Sequence, residues 1–349
     1  MSLKKLCLLA AVAVLFCVYA VGQLLHVLFA LLRNPRKVMK RTARDIPPAC
    51  LLDPALGSHE YVTANGLKFH CVCAGDTSKP LMLLLHGFPE FWFSWRHQLK
   101  AFCKDYHVVA VDMRGYGDTD HPVGSSEYSF NHLTTDIVEL IPALGHSSCV
   151  LVGHDWGGVV SWRVTQRYPE LVDRHIVLNC PHGRVFKKFL ENSWTQLRRS
   201  WFIFLFQIPR LPEALISLQD YQFLEQLFTS HTSGVKNRDQ FPAEVVEAYK
   251  YTFSRPGGLT GPINYYRAMF SSPKDSLPRE KWTISVPTLI IWGDDDHVLQ
   301  REMADCHDTI CSDLTVKHIP NCSHWVQQDV PDLCNQHMTD FLSTKSVSM

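Results

Sequence analysis

Cys149-Val150-Leu151-Val152-Gly153-His154-Asp155-Trp156-Gly157 carries a short apolar run into an acidic residue flanked by glycines. Positions 149–152 read as a strand buried on both faces, and positions 157–168 have helical spacing and stop at Tyr168-Pro169. A strand that passes straight into a helix must bend sharply, and Gly153 and Gly157 permit that bend while lifting the central side chain clear of the backbone. Asp155 occupies the tip. An aspartate there would also suit a plain helix cap, because its carboxylate can accept the free amides of a first helical turn. The rest of the chain separates the two readings.

Further apolar runs lie at 81–85, 108–111 and 288–292, with other strands at 67–73, 175–178 and 314–319. Helical stretches at 94–102, 131–144 and 331–342 fall between or after them. Strands too short for core helices, alternating with helices, predict a mostly parallel sheet flanked by helices on both faces. Ahead of it, Pro47, Pro48 and Pro54 read as an extended linker, with the globular part starting near Glu60. From Pro181 to about Lys274 the pattern changes to aromatic-rich helix without short apolar runs. An insertion between two strands of one sheet predicts a helical cap over the C-terminal strand edge, where open sheets of this kind bind ligands. The expected divisions are 1–45, an anchor with its basic flank; 46–180, the first part of the core; 181–275, the cap; and 276–349, the rest of the core.

Two signals favour the catalytic reading of Asp155. His86-Gly87-Phe88-Pro89 follows the strand at 81–85 and can supply a backbone N–H from Phe88 to an oxyanion. The second donor is the amide of Trp156, at the start of a helix where N–H groups point outward. Downstream, Trp292-Gly293-Asp294-Asp295-Asp296 ends a late strand and Ser323-His324-Trp325 follows the last one. That is the order nucleophile, acid, histidine of the α/β-hydrolase fold. Asp296 is the expected acid, with Asp295 as the alternative, and His324 the expected base.

An aspartate nucleophile changes the reaction. A carboxylate attacks saturated carbon and leaves an alkyl ester, so the substrate must carry a strained or good leaving group. The histidine then activates water to hydrolyse that ester, while Asp296 orients the imidazole. Water and side chains suffice, so no metal or organic cofactor is expected.

Together with Asp112-Met113-Arg114-Gly115-Tyr116-Gly117, Phe206-Gln207-Ile208-Pro209 and Gly261-Pro262-Ile263-Asn264-Tyr265-Tyr266-Arg267, these motifs resemble the epoxide hydrolase family, in particular its membrane-anchored vertebrate members. The resemblance spans nearly the whole chain. It implies conversion of an epoxide to a vicinal diol, with two cap tyrosines hydrogen-bonding the epoxide oxygen. Tyr266, preceding Arg267, matches one of them, and Tyr265 is the packing alternative. The position matching the other is Phe202, which cannot donate. Haloalkane dehalogenases share the Asp elbow and the following Trp but differ at Phe88 and Tyr266. A non-catalytic, membrane-anchored lipid-binding protein is the third reading, motivated by Phe202.

The 349 residues balance 34 Lys+Arg against 34 Asp+Glu, so no net field favours nucleic acid. Twelve cysteines stand without C-x-x-C pairing or zinc-ligand spacing. The sequon Asn321-Cys322-Ser323 adjoins His324 and is read as chance. Residues 6–32 contain no Lys, Arg, Asp or Glu and are long enough for a bilayer span of roughly 20 apolar residues. A cleaved signal peptide is the alternative, with Val18-Tyr19-Ala20 as its cleavage site. The basic residues Arg33, Arg36, Lys37, Lys40, Arg41 and Arg44 outnumber Lys4 and Lys5. The positive-inside rule places the catalytic part in the cytosol, on a single-pass protein of the endoplasmic reticulum. An apolar epoxide, such as an epoxidised fatty acid, is the expected small-molecule partner. Oligomeric state is not legible.

Overall fold

Short apolar segments bordered by turn residues form the middle of a sheet when both faces are covered. β3 (Leu81–Leu85), β4 (His107–Val111), β5 (Cys149–His154) and β7 (Thr288–Gly293) are buried along their whole lengths. They belong to an 8-stranded sheet in the order β1-β2-β4-β3-β5-β6-β7-β8, completed by β1 (Ser58–Ala64), β2 (Leu67–Ala74), β6 (Val172–Leu178) and β8 (Leu314–Ile319). The pairs β1/β2 and β2/β4 are antiparallel, and every other neighbouring pair is parallel. The computed structural model describes Val14, Val18, Val21, Gly22 and Leu25, then residues 27–271 and 283–344.

Helices α1 (Arg96–Phe102), α2 (Phe130–Ala143) and α3 (Trp156–Arg167) follow β3, β4 and β5. Ser129 caps α2 by accepting the His132 N–H, which satisfies a first-turn amide. Leu133, Ile137, Leu140 and Ile141 form the buried stripe of that helix at i, i+4, i+7 and i+8. Burying each such side chain contributes roughly 1.5–3 kcal/mol before conformational entropy is counted.

Between β6 and β7 the chain forms α4 (Gly183–Asn192), α5 (Trp194–Arg199), α6 (Trp201–Leu205), α7 (Leu211–Thr229), α8 (Ala243–Ser254) and α9 (Thr260–Ser271), the inserted helical layer expected from the sequence. α7 is broken in its middle. Leu218 is extended, and Gln219, Asp220 and Tyr221 have φ of 52°, 58° and 61°. Left-handed backbone costs a non-glycine residue roughly 1–2 kcal/mol, so tertiary contacts must hold this turn. After β8 come a one-turn helix, Val326–Asp329, and α10 (Pro331–Ser343).

The proposed linker at Pro47, Pro48 and Pro54 is not extended. It winds into the 3-10 turns Ala49–Leu52 and Pro54–Leu56, and Leu51 and Leu56 are buried. Proline denied these residues an α-helix, but two apolar anchors and the Asp53 side chain, which accepts the Ala55 N–H, favoured compact turns. The expected membrane span 6–32 lies mostly outside the described residues. Among the described residues, no helix is long and apolar enough to cross a membrane.

Candidate active site

The parallel strands bring the predicted residues to one edge. Asp155 follows β5, Asp296 follows β7, His324 follows β8, and Phe88 follows β3. Asp155 has φ 49° and ψ −117°, the strained conformation that the flanking glycines make room for. A Cβ on Gly157 would stand 2.0 Å from the Leu85 carbonyl oxygen, and one on Gly87 would stand 2.5 Å from the Asp155 Cβ. The Asp155 side chain does not cap α3, so the capping alternative is not what this residue does. Its Oδ1 accepts the Phe88 N–H at 2.8 Å. The Phe88-Pro89 peptide is cis.

His324 sits between two carboxylates. Its Nδ1 is 2.6 Å from Asp296 Oδ2, and its Nε2 is 3.7 Å from Asp155 Oδ2. Burial alone would lower the imidazole pKa, but the charges of Asp296 and Asp155 and the hydrogen bond to Asp296 push it up to about 10. Burial likewise works against the ionised carboxylates, yet the facing charge of His324 holds Asp155 below the usual range. The charge of His324, then its hydrogen bond, does the same for Asp296. Asp296 is fixed further by the Val298 and Leu299 amides on Oδ1, at 2.6 and 2.8 Å, and by Asn179 Nδ2 on Oδ2 at 2.8 Å. The alternative acid, Asp295, points away, with its carboxylate 3.6 Å from Lys236 Nζ.

A cavity of about 740 Å³ is lined by Asp155, His324, Tyr266, Phe88, Phe202 and Trp325, among others. Burial, and then the nearby Asp155 charge, push the Tyr266 hydroxyl well above the phenol range, opposed by a hydrogen bond from Trp156. Tyr266 is therefore a proton donor at neutral pH. Tyr265 instead packs in the core and donates to the Arg114 carbonyl at 2.9 Å. Phe202 stands 5.8 Å from the Tyr266 ring, nearly perpendicular to it. Trp156 does not line the cavity. Its ring crosses Tyr266 at 5.1 Å, and its amide belongs to the first turn of α3, where no intrahelical acceptor exists. Among the aromatic residues of the cap, Trp201, Phe202 and Phe206 line the cavity. Trp194 is exposed and Phe204 packs on Phe270.

Two supporting groups had no role in the sequence reading. Asn179 bridges Asp296 to the Gly293 amide, which donates to its Oδ1 at 2.8 Å. It stands alone after β6, and no motif marks it. Buried Glu90 accepts from Gly87 N, His154 Nδ1, Gln327 Nε2 and Gln328 Nε2. His154 Nε2 in turn contacts the His324 carbonyl at 2.9 Å. This chain ties the oxyanion loop to the histidine loop. His154 lies inside the elbow motif and Glu90 directly follows Pro89, and their burial was the missing signal.

The geometry offers a carboxylate nucleophile, an imidazole that can accept a proton from water, backbone donors for an oxyanion, and a phenol over the same cavity. Over residues 80–331 the sequence matches the family described as alpha/beta hydrolase fold. It is 45% identical to Epoxide hydrolase 4 of Homo sapiens over 93% of this chain and 89% of that protein. With Epoxide hydrolase 3 of Mus musculus it shares 40% identity over 98% of this chain and 92% of that protein. Among solved structures, the epoxide hydrolase of Bacillus megaterium in complex with an inhibitor aligns at a TM-score of 0.75 and 31% identity, covering 82% of this chain and 100% of that one.

Proposed function

The chain belongs to the epoxide hydrolases of the α/β-hydrolase fold, hydrolases of an ether bond, and on that premise we propose that it opens apolar lipid epoxides through an ester on Asp155. The observation that carries this reading is the placement of the Asp155 carboxylate and the Tyr266 hydroxyl around one cavity, with His324 at 3.7 Å from that carboxylate.

In the first step Asp155 Oδ2 attacks a ring carbon, the C–O bond of the strained ring breaks, and Tyr266 donates to the departing oxygen. The proton that this oxygen finally keeps is the one His324 holds between its carboxylates, so the product is a neutral ester, a free hydroxyl and neutral imidazole. In the second step His324 takes a proton from water and hydroxide adds to the ester carbonyl. The oxyanion formed there faces the Phe88 and Trp156 amides. Collapse releases the diol and restores ionised Asp155 beside protonated His324. Epoxide and water are consumed, and charge is conserved.

The aromatic lining of the cavity supports an apolar substrate. Residues 6–32 would hold the protein in the endoplasmic reticulum membrane, with the catalytic part on the cytosolic side that the basic flank favours. An epoxidised fatty acid is then the substrate class nearest to hand. Single turnover in isotopically labelled water tests the mechanism. Diol product together with label in the Asp155 carboxyl, both lost in Asp155→Asn, is the expected result. Diol formed with no label in Asp155 overturns the ester step.

A further inference from the structure

One wall of the catalytic cavity lies outside the sheet edge. It is built from Val27 and, on α7, from Leu215, Leu218, Gln219, Phe223 and Leu227. Leu218 and Gln219 belong to the left-handed break of that helix. A strained turn persists only where its surroundings over-determine it, and here the partner is the segment after the short helix Pro35–Val38.

The Asp220 N–H donates to the Lys40 carbonyl at 2.9 Å. Asp220 Oδ1 accepts from Thr42 N at 2.9 Å and Arg44 Nη1 at 2.8 Å, and Oδ2 accepts from Thr42 Oγ1 and Arg44 Nη2, both at 2.9 Å. Arg41 Nη2 donates to Ser217 Oγ at 2.7 Å, and Arg44 Nε reaches Glu247 on α8 at 2.6 Å. The Arg44 side chain is only 5% exposed, so this bidentate pair is shielded from the screening that weakens surface ion pairs. Arg44 lowers the Asp220 pKa far below the carboxylate range. Residues read from the sequence as a simple basic flank are thus docked into the cap.

We propose that the Lys40, Thr42 and Arg44 clasp on Asp220 holds the α7 break in place as a binding subsite for the long apolar chain of the substrate, making Asp220 and Arg44 positioning residues for chain-length specificity. The proposal rests on the lipid-epoxide reading. It separates the subsite from the chemistry: the triad and Tyr266 hold the ring, whereas the clasped wall holds the tail.

The test compares an octadecyl terminal epoxide with propylene oxide on the full-length chain in detergent micelles. Asp220→Asn and Arg44→Gln should each raise KM for the octadecyl epoxide about tenfold, with kcat unchanged and propylene oxide turnover unaltered. The double variant should be no worse than either single one, because both remove the same clasp. Glu225→Gln, which removes the exposed Lys250 pair on the same helices, should change nothing. An equal loss on both epoxides, or no change on either, overturns the proposal. Should the wild-type chain turn over neither epoxide, the catalytic reading has failed, and the subsite is then read by binding of a fluorescent stearate. Weaker binding in both clasp variants supports the subsite, and unchanged binding overturns it.

Discussion

The Nε2 atom of His324 stands 3.7 Å from Oδ2 of Asp155, beyond hydrogen-bonding distance yet close enough for each charge to stabilise the other. The resting site is therefore an ion pair, and the proposed ester on Asp155 would remove one half of it. Neutralising Asp155 lets the histidine give up its proton at the stage when a base is required.

That coupling predicts a titration. In the folded protein His324 is pushed up from 6.5 to about 10, so its contribution to stability is complete below pH 6.5 and is lost as pH rises through about 10. Asp155→Asn mimics the loss of charge on ester formation and should bring the His324 titration down toward neutrality, observed by NMR of the imidazole. For the wild-type enzyme, kcat/KM should stay level through neutral pH and fall only as pH passes about 10. A fall near pH 6.5 would show that Asp155 does not support the imidazolium.

Phe202 sets the second prediction. It lines the cavity beside Tyr266 without a hydroxyl, so in the proposed mechanism the departing oxygen receives one phenolic donor. Tyr266→Phe should lower kcat by about 100-fold or more, the usual cost of removing a donor to developing charge. Phe202→Tyr should raise kcat several-fold with little change in KM, because the added donor acts in the transition state. Pre-steady-state measurement of ester formation distinguishes this from an effect on hydrolysis.

Glu90 gives a stability prediction. Its carboxylate is wholly buried and accepts from Gly87, His154, Gln327 and Gln328. Burial opposes its charge, but His154 and these donors hold its pKa below 4.5. The stabilisation is thus present above pH 4.5 and disappears as pH falls through the lower folded value. Glu90→Ala leaves the donors unpaired and should cost about 3–5 kcal/mol in denaturant unfolding. Asn179→Ala removes a smaller bridge and should cost about 1–3 kcal/mol, with a lower kcat because Asp296 loses a restraint.

The sheet was legible because its central strands are short apolar runs that only two-sided burial explains. β1 was not, since Ser58–Ala64 is a mostly exposed edge strand whose polar residues carry no apolar period. The meeting of Asp155, Asp296 and His324 was legible from order along the chain, because strand ends of a parallel sheet share one edge, whereas Tyr266, on α9 of the cap, was reached only through the resemblance of its motif. The α7 break was hidden: Leu218-Gln219-Asp220-Tyr221 contains neither glycine nor proline, and its conformation is imposed by a segment far away in sequence. Asn179 was hidden for the same reason, its role being defined by Asp296 and Gly293.

The elbow itself supplies the last prediction, as a contrast between two glycines at helix starts. A Cβ at Gly157 would lie 2.0 Å from the Leu85 carbonyl oxygen and 2.7 Å from that of His86. Both are backbone atoms of β3 and the loop after it, so relief requires α3 and β3 to separate, and Phe88 would move with them. Gly157→Ala should therefore cost at least about 3 kcal/mol and abolish turnover even in the fraction that folds. Gly183, at the start of α4, has no atom within 4 Å of such a Cβ. Gly183→Ala should leave stability unchanged or raise it by up to about 1 kcal/mol, with turnover intact. Denaturant unfolding and diol formation measured on the pair decide the matter: equal effects would mean that close contact between strand and helix does not shape the elbow.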